Sequence, residues 1–170
     1  DCIPCRKADT EHTQKALINF TGGGANVKLI YSDNAMPIKK AVQHIGAAWE
    51  ASHPGKPHNN ARIERANQLV LDGARTMLAQ SGLPHCFWGL AVRAFCFHHN
   101  CVEKNGSSPY EKRWSEKFKG ELIPFGSMVL FKPTPTKPYE NKLDDRLQVG
   151  IHVGYRLHDG ARWKGEHKVI

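Results

Sequence analysis

The longest amphipathic pattern in the chain predicts a helix over residues 61–80. Asn60 precedes it and is a residue type that commonly caps a helix N-terminus, while Gly82-Leu83-Pro84 ends this helix and begins the next. One face of the helix is therefore expected to pack against a core. The apolar positions recur every three or four residues: Ile63, Ala66, Val70, Ala74, Met77 and Leu78.

An apolar, β-branched run over Val27–Tyr31 predicts a buried strand. Residues 1–6 are interpreted as the remnant of another strand, and Thr10 as the N-cap of a helix over 11–20. The remaining predicted elements of this half are a strand over 47–51 and helices over 38–45, 84–102 and 109–114, with Ser107 or Ser108 capping the last.

After Gly120 the chain changes to short strands separated by turns rich in proline and glycine, with a proline-rich linker at Pro133–Pro138. We interpret residues 1–120 as an α/β domain and residues 121–170 as a small β module packed on it or tethered to it. The chain opens on Asp1 without an initiating methionine and is interpreted as a piece of something longer. The predicted strands of the module are Met128–Phe131, Gln148–Tyr155 and Arg162–Ile170.

The composition favours a polyanionic partner, nucleic acid first, because the 170 residues carry a formal net charge of +8. No apolar run approaches the roughly 20 residues of a membrane span, so no membrane partner is expected. Five cysteines without regular spacing argue against a disulfide framework and for a reducing compartment.

Two acidic residues carry the candidate chemistry. Asp33 follows the predicted strand, and Glu64 lies in the first turns of the longest helix. A strand end and a helix start can direct two carboxylates at one point, and divalent metal ions that assist phosphodiester chemistry need such hard oxygen ligands. A third acid is usual in such sites, and no residue in a plausible place supplies it.

Each acid also has an ordinary structural explanation. Asp33-Asn34 is a common turn after a strand, and an acid in the first turn of a helix, such as Glu64, is favoured by the helix dipole. Around them, Asn34, Asn60 or Asn67 are candidates to position phosphate or water. The candidate contacts to a DNA backbone are His53, Lys56, His58, Arg62 and Arg65.

Two other groups suggest metal ligands. Cys2 and Cys5 form a CxxC motif, but no second pair follows at zinc-finger spacing, so a structural role is favoured. His98, His99 and Cys101 point in different directions on a helix and are interpreted as a helix end.

Ordered motifs over about three-quarters of the chain resemble the integrase catalytic core of copia-type LTR retrotransposons, which is similar to retroviral integrases and DDE transposases. The strand-end motif of that family is present as Ser32-Asp33-Asn34. The other matching stretches are PHNNARIERAN at 57–67, ARTML at 74–78, GLPHCFWGLAV at 82–92, SPYEKRW at 108–114, FG at 125–126 and VGY at 153–155.

The resemblance implies a ribonuclease-H-like fold, a mixed five-stranded sheet flanked by helices, here N-terminally truncated. It implies a D,D,E triad that binds Mg²⁺ or Mn²⁺, with Asp33 as the second member and Glu64 as the third. It also implies that Asn67 faces DNA, and that the protein works as a homo-oligomer on the element's ends and on target DNA, and hence in the nucleus.

Four features depart from the family pattern. Only residues 34–63 separate the two acids, which is shorter than the family spacing, and Ala35-Met36-Pro37 replaces a glycine-rich turn. The first triad Asp would lie on a strand upstream of Asp1, and the upstream zinc module is missing. The chain is therefore expected to be inactive by itself.

Three functions follow from these observations. The first is an integrase core fragment whose intact protein trims DNA 3′ ends and joins them to target DNA. The second is a decayed or repurposed relic that only binds nucleic acid or a protein, which the missing Asp and the altered turn favour. The third, a ribonuclease of the same fold, is disfavoured because the pattern from Asn60 to Trp88 is typical of integrases.

Overall fold

The computed structural model describes residues 2–5, 7–22, 27–52, 61–133 and 146–170, which form five α-helices and five β-strands. Helix α1 covers Thr10–Thr21, and Asp9 is its N-cap. Asp9 Oδ1 accepts a hydrogen bond from the His12 backbone N–H at 2.9 Å and lies 2.7 Å from His12 Nδ1. The prediction that Thr10 caps this helix was wrong by one position, because the Asp9 carboxylate satisfies the free N–H groups of the first turn.

Strands β1 (Leu29–Ser32) and β2 (Ala48–Ala51) pair in parallel, joined by helix α2 (Met36–His44). Leu29 is 52% exposed and Tyr31 is 40% exposed, so the prediction of a buried strand was wrong. Among the described residues β1 pairs with β2 alone, and side chains on one face of this sheet remain open to solvent.

Residues 2–5 do not form the predicted strand. Pro4 lacks a backbone N–H and cannot donate to a neighbouring strand. Its ring lies beside helix α4 (Trp88–Cys101) instead. The contact is close: a Cβ atom placed on Gly89 would lie 3.3 Å from Pro4 Cγ.

Helix α3 covers Ala61–Ser81, as the amphipathic pattern predicts, and packs against α4. Gly73 permits a close approach of these two helices, since a Cβ atom there would lie 2.1 Å from Cε2 of Phe95. Pro84 precedes a short 3₁₀ turn at His85–Phe87, which leads directly into α4. The core that α3 and α4 share with later strands consists of Ala74, Leu78, Ala91, Val92, Ala94, Phe125 and Val153.

Helix α5 covers Pro109–Trp114, and Ser108, one of the two predicted candidates, is its N-cap. Its Oγ accepts a hydrogen bond from the Glu111 backbone N–H at 3.0 Å. Helix α5 packs against α4 through a second group of side chains, which we call the aromatic cluster. The cluster consists of Phe97, Tyr110, Phe118, Tyr155 and Trp163, and Phe97 meets both Tyr110 and Phe118 edge to face.

Strands β3 (Met128–Phe131), β4 (Gln148–His158) and β5 (Arg162–Val169) form an antiparallel sheet in that order, and a 3₁₀ turn at Asp159–Ala161 joins the last two. Val153 of β4 belongs to the same core as α3 and α4, so this sheet packs directly on the helices, and Phe125, just before β3, joins that core. The boundary predicted between residues 120 and 121 stays a prediction. Of the proline-rich linker, only Pro133 lies within the described residues.

Strand β4 supplies a buried polar network next to the aromatic cluster. The Tyr155 hydroxyl accepts from the Ile123 N–H at 2.9 Å, donates to the Glu121 carbonyl at 3.1 Å and lies 3.1 Å from His98 Nε2. His152 is 1% exposed, and its Nε2 lies 3.2 Å from Nδ1 of His167. Burial, with the nearby His167, lowers the pKa of His152 to about 4, so its ring is neutral at pH 7.

The architecture is mixed α/β, as predicted. The described residues form one two-stranded and one three-stranded sheet, so a ribonuclease-H-like five-stranded sheet stays a prediction. None of the described helices has the length and apolar character that crossing a membrane requires.

Candidate functional site

The end of β1 is held in place by the Ser32 side chain. Trp49 Nε1 donates to Ser32 Oγ at 3.0 Å, and Ser32 Oγ donates to the Asp33 carbonyl at 2.9 Å. The Ser52 backbone N–H donates to the Ser32 carbonyl at 2.8 Å. These bonds fix the backbone from which Asp33 projects, and both Asp33 and Asn34 are exposed.

A cation stands near this strand end. Nζ of Lys39, in the first turns of α2, lies 5.0 Å from the centre of the Trp49 ring. A cation–π contact that is not fully desolvated contributes about 0.5–1 kcal/mol. Ser32, Lys39 and Trp49 were not among the predicted site residues, although the position of Ser32 directly before Asp33 was an available signal.

Helix α3 presents Glu64 to solvent. Its buried residues, Ala74 and Leu78, lie in the second half of the helix, where α4 packs. Ile63 is 59% exposed, so the predicted apolar stripe is engaged only from about Val70 onward. The exposed N-terminal half of α3 carries four predicted site residues: Arg62, Glu64, Arg65 and Asn67.

These four side chains divide into two faces. Residues three positions apart share a helix face, which places Arg62 with Arg65 and Glu64 with Asn67. At about 100° per residue the two pairs project from opposite sides of α3. One side therefore presents two cations, and the other presents a carboxylate beside an amide.

The loop between the two acids lies outside the described residues, and with it Lys56 and Asn60, together with His53 and His58. The predicted role of Asn60 as the α3 N-cap therefore stays a prediction, as do the predicted DNA contacts of the loop.

The convergence of Asp33 and Glu64 on one site stays a prediction. Strand β1 packs on β2, whereas α3 packs on α4. Across residues 2–5, 7–22, 27–52, 61–133 and 146–170, no three His, Cys, Asp or Glu side chains lie close enough together to hold a metal ion. Asp33 and Glu64 therefore fit Mg²⁺ or Mn²⁺ in ligand chemistry, but the described residues do not complete a site.

The other candidates for metal ligands are the two cysteines of the CxxC motif and the group at the end of α4. Cys2 is half-buried and Cys5 is exposed. His98 contacts Tyr155, whereas Nε2 of His99 lies 3.0 Å from Nζ of Lys104. Burial raises the pKa of the Cys101 thiol to about 12, so it is protonated at pH 7.

Comparison with known proteins gives a relationship in sequence and a likeness in fold, while no family model matches the chain. The chain is 30% identical over 144 residues to the Retrovirus-related Pol polyprotein from transposon TNT 1-94 of Nicotiana tabacum. The match covers 78% of this chain and spans 10% of that polyprotein. The resemblance to copia-type retrotransposons found in the motifs is thereby confirmed.

The second relationship is structural. The fold is similar, with a TM-score of 0.51 and 11% identity, to a chain in the cryo-electron microscopy structure of the simian T-cell lymphotropic virus intasome in complex with PP2A regulatory subunit B56 gamma. The likeness covers 87% of this chain and 56% of that one, and at this identity it concerns the fold alone.

Proposed function

We propose that this chain, a relative of the Pol polyprotein of copia-type retrotransposons, is part of an integrase core and binds DNA through the exposed N-terminal half of α3. The relationship to the TNT 1-94 polyprotein carries this proposal. The formal net charge of +8 and the exposed Arg62–Arg65 pair support a DNA partner, because cations facing solvent can meet phosphates at little desolvation cost.

In the intact protein, Asp33 and Glu64 are the carboxylates that would hold Mg²⁺ or Mn²⁺. The bound ion would polarise the phosphodiester and activate the attacking oxygen during 3′-end trimming and strand transfer. The residues of this chain position the two acids. The hydrogen bond from Trp49 to Ser32 holds the strand end that precedes Asp33, and α3 presents Glu64 on the same face as Asn67. Assembly as a homo-oligomer on element ends and target DNA, in the nucleus, belongs to the same proposal.

By itself, this chain is expected to bind DNA without cutting or joining it, because the described residues bring no third acid to Asp33 and Glu64. The test incubates the chain with labelled duplex DNA and Mn²⁺ and analyses products on a denaturing gel. The expected result is no product. Strand-transfer products that disappear in Asp33→Asn would overturn this part of the proposal.

Binding is tested separately by fluorescence anisotropy over a range of salt concentrations. Replacing both Arg62 and Arg65 with Ala is expected to weaken duplex binding and to reduce the slope of log K against log[salt] by about 2, since each lost phosphate contact removes about 0.9. Arg75→Ala is the matched control, because Arg75 lies on the same helix and pairs with Asp72 at 2.7 Å. Equal losses from the control would contradict the assignment to the N-terminal half.

The second candidate function is a relic that binds nucleic acid or a protein without any metal-dependent step. Among the described residues no three His, Cys, Asp or Glu side chains lie close enough together to hold a metal ion, which favours it. Duplex binding strengthened by Mn²⁺ in the original chain, but not in Asp33→Asn, would exclude this alternative. Binding that is insensitive to both Mn²⁺ and Asp33→Asn would favour it over the integrase core.

A further inference from the structure

A cavity of about 490 Å³ lies where α1, α4, α5 and the Asp159–Ala161 turn meet. We call it the stacking pocket. The lining residues that matter here are Phe20, Asn100, Lys112, Arg113, Trp114 and Gly160. None of the described lining residues belongs to β1, α2 or α3, and neither carboxylate of the candidate site is among them.

Aromatic rings and guanidinium groups alternate along this pocket. The Arg113 guanidinium stands 4.7 Å from the centre of the Phe20 ring and 5.6 Å from that of Trp114. The Arg162 guanidinium, which is not part of the pocket lining, stands 5.1 Å from the centre of the same Trp114 ring. Aromatic faces and guanidinium planes are the surfaces on which proteins stack unpaired bases.

The stack is held in position before any ligand arrives. Arg113 Nη2 donates a hydrogen bond to the Phe20 carbonyl, which ties α5 to the end of α1. Gly160, at φ 75°, allows the turn to lie against Trp114, because a Cβ atom there would lie 2.9 Å from the ring. Phe20 is nevertheless 44% exposed, so part of its side chain is accessible to a ligand.

The charge around the pocket is positive. Lys112 and Arg113 are exposed, and neither forms an ion pair with another described residue. Arg162 is paired with Glu116 at 3.0 Å, so its charge is already balanced. Two cations that form no ion pair with a described residue, next to an aromatic stack, match a ligand that has both a flat ring and a phosphate.

We propose that the stacking pocket binds an unpaired nucleotide of a single-stranded nucleic acid. The base stacks on Phe20 beside the Arg113 guanidinium, and the phosphate is bound by Lys112 and Arg113. The Asn100 side chain supplies an amide that can pair with a base edge. This site goes beyond the proposed function, because it requires neither Asp33, Glu64 nor a metal ion.

The test measures anisotropy of a fluorescein-labelled short oligothymidylate, and of a duplex of the same length, with EDTA present. Phe20→Ala is expected to weaken oligothymidylate binding by about 5- to 150-fold, the range for loss of one base–aromatic stack, and to leave duplex binding unchanged. Lys112→Glu is expected to weaken oligothymidylate binding and to reduce its salt dependence.

Lys132→Glu is the matched control, since Lys132 is exposed and lines no part of the pocket. The urea midpoint of each variant shows whether it remains folded. The proposal is overturned if Phe20→Ala leaves oligothymidylate binding unchanged, if it weakens duplex binding equally, or if Lys112→Glu has no larger effect than Lys132→Glu.

Two competitors identify the ligand class. Displacement of the oligonucleotide by thymidine monophosphate at similar concentration would assign the pocket to free nucleotides and overturn the single-strand assignment. Displacement by polyglutamate, but not by an unlabelled oligothymidylate, would assign it to acidic peptides. Asp33→Asn is expected to bind oligothymidylate normally, so failure of the proposed integrase function leaves this test intact.

Discussion

The open carboxylate region and the aromatic cluster differ in how their side chains are held. The open carboxylate region consists of Asp33 and Asn34 after β1 together with the exposed N-terminal half of α3. Its acids face solvent, and no third metal-ligating side chain among the described residues joins them. In the aromatic cluster, by contrast, rings from α4, α5, β4 and β5 interlock, and a buried tyrosine hydroxyl joins three neighbours.

The contrast shows where the free energy of folding resides. Buried apolar contacts stabilise the chain around α4, whereas the first turns of α3 contribute little burial. A surface with few buried contacts is able to accept a polyanion or another protein segment without first breaking native contacts. We therefore expect substitutions in the two regions to separate stability from binding.

The largest effect on stability is expected from Phe97→Ala in the aromatic cluster. Phe97 is almost fully buried and contacts Tyr110, Phe118 and Tyr155, so its removal leaves a cavity worth about 3–5 kcal/mol of unfolding free energy. Ile63→Ala is the counterpart in the open region and should change the unfolding free energy by less than about 0.5 kcal/mol. Urea denaturation measures both, and similar losses of unfolding free energy would contradict the difference between the two regions.

The second effect is a dependence of stability on pH. Burial holds the pKa of His152 at about 4, below the ordinary value of 6.5, so between these values the unfolded chain binds a proton that the folded chain does not. Stability should therefore be full above about pH 6.5 and should fall as the pH decreases toward 4, by at most about 3 kcal/mol. His98 and His167 have pKa values lowered by burial and act in the same direction.

Urea denaturation at several pH values measures this dependence, and His152→Gln should flatten it. A slope that is unchanged in this variant would assign the dependence to other groups. The carboxylates of Asp9 and Glu11 have lowered pKa values and also lose stabilising contacts at low pH, which the comparison of variants subtracts.

A smaller effect is expected from Tyr155→Phe. This change leaves the ring in the aromatic cluster but removes the hydroxyl that contacts Ile123, Glu121 and His98. Because the Ile123 N–H then loses its acceptor, the loss should be about 1–2 kcal/mol in urea denaturation. A loss as large as that of Phe97→Ala would mean that the hydroxyl network, rather than ring packing, holds the cluster together.

The smallest effect on stability is expected from Glu64→Gln, at less than about 0.5 kcal/mol, since this carboxylate is exposed on α3. The same substitution should abolish any strengthening of DNA binding by Mn²⁺, because it removes one of the two carboxylates proposed to hold the ion. A clear loss of stability would show that Glu64 has a structural partner and would move it out of the open region.

Much of the fold was predictable from local pattern. Helix α3 and strand β3 occupy the predicted positions because periodicity and turn residues act over a few neighbouring positions. Two local predictions failed. Asp9 and Thr10 are neighbours that can both cap a helix, and Asp9 is the one that does so. Residues 2–5 form no strand, since Pro4 cannot donate a backbone hydrogen bond.

The candidate site was predictable only in part. Asp33 does follow β1, and Glu64 does lie in the first turns of α3, as the motifs indicate. Whether the two carboxylates converge depends on the relative placement of elements joined by residues 53–60, which no local pattern specifies. Packing also decides the exposure of Ile63, since the buried residues of α3, Ala74 and Leu78, lie in the other half of the helix.

The sequence by itself determined the elements, the basic charge, the acids at a strand end and a helix start, and the relationship to retrotransposon polyproteins. Tertiary structure alone decided which half of α3 is buried and that Phe20, Arg113 and Gly160 meet in one pocket. The physical reason is distance along the chain: local propensities act within a few residues, whereas a cavity or cluster forms from side chains that only packing brings together.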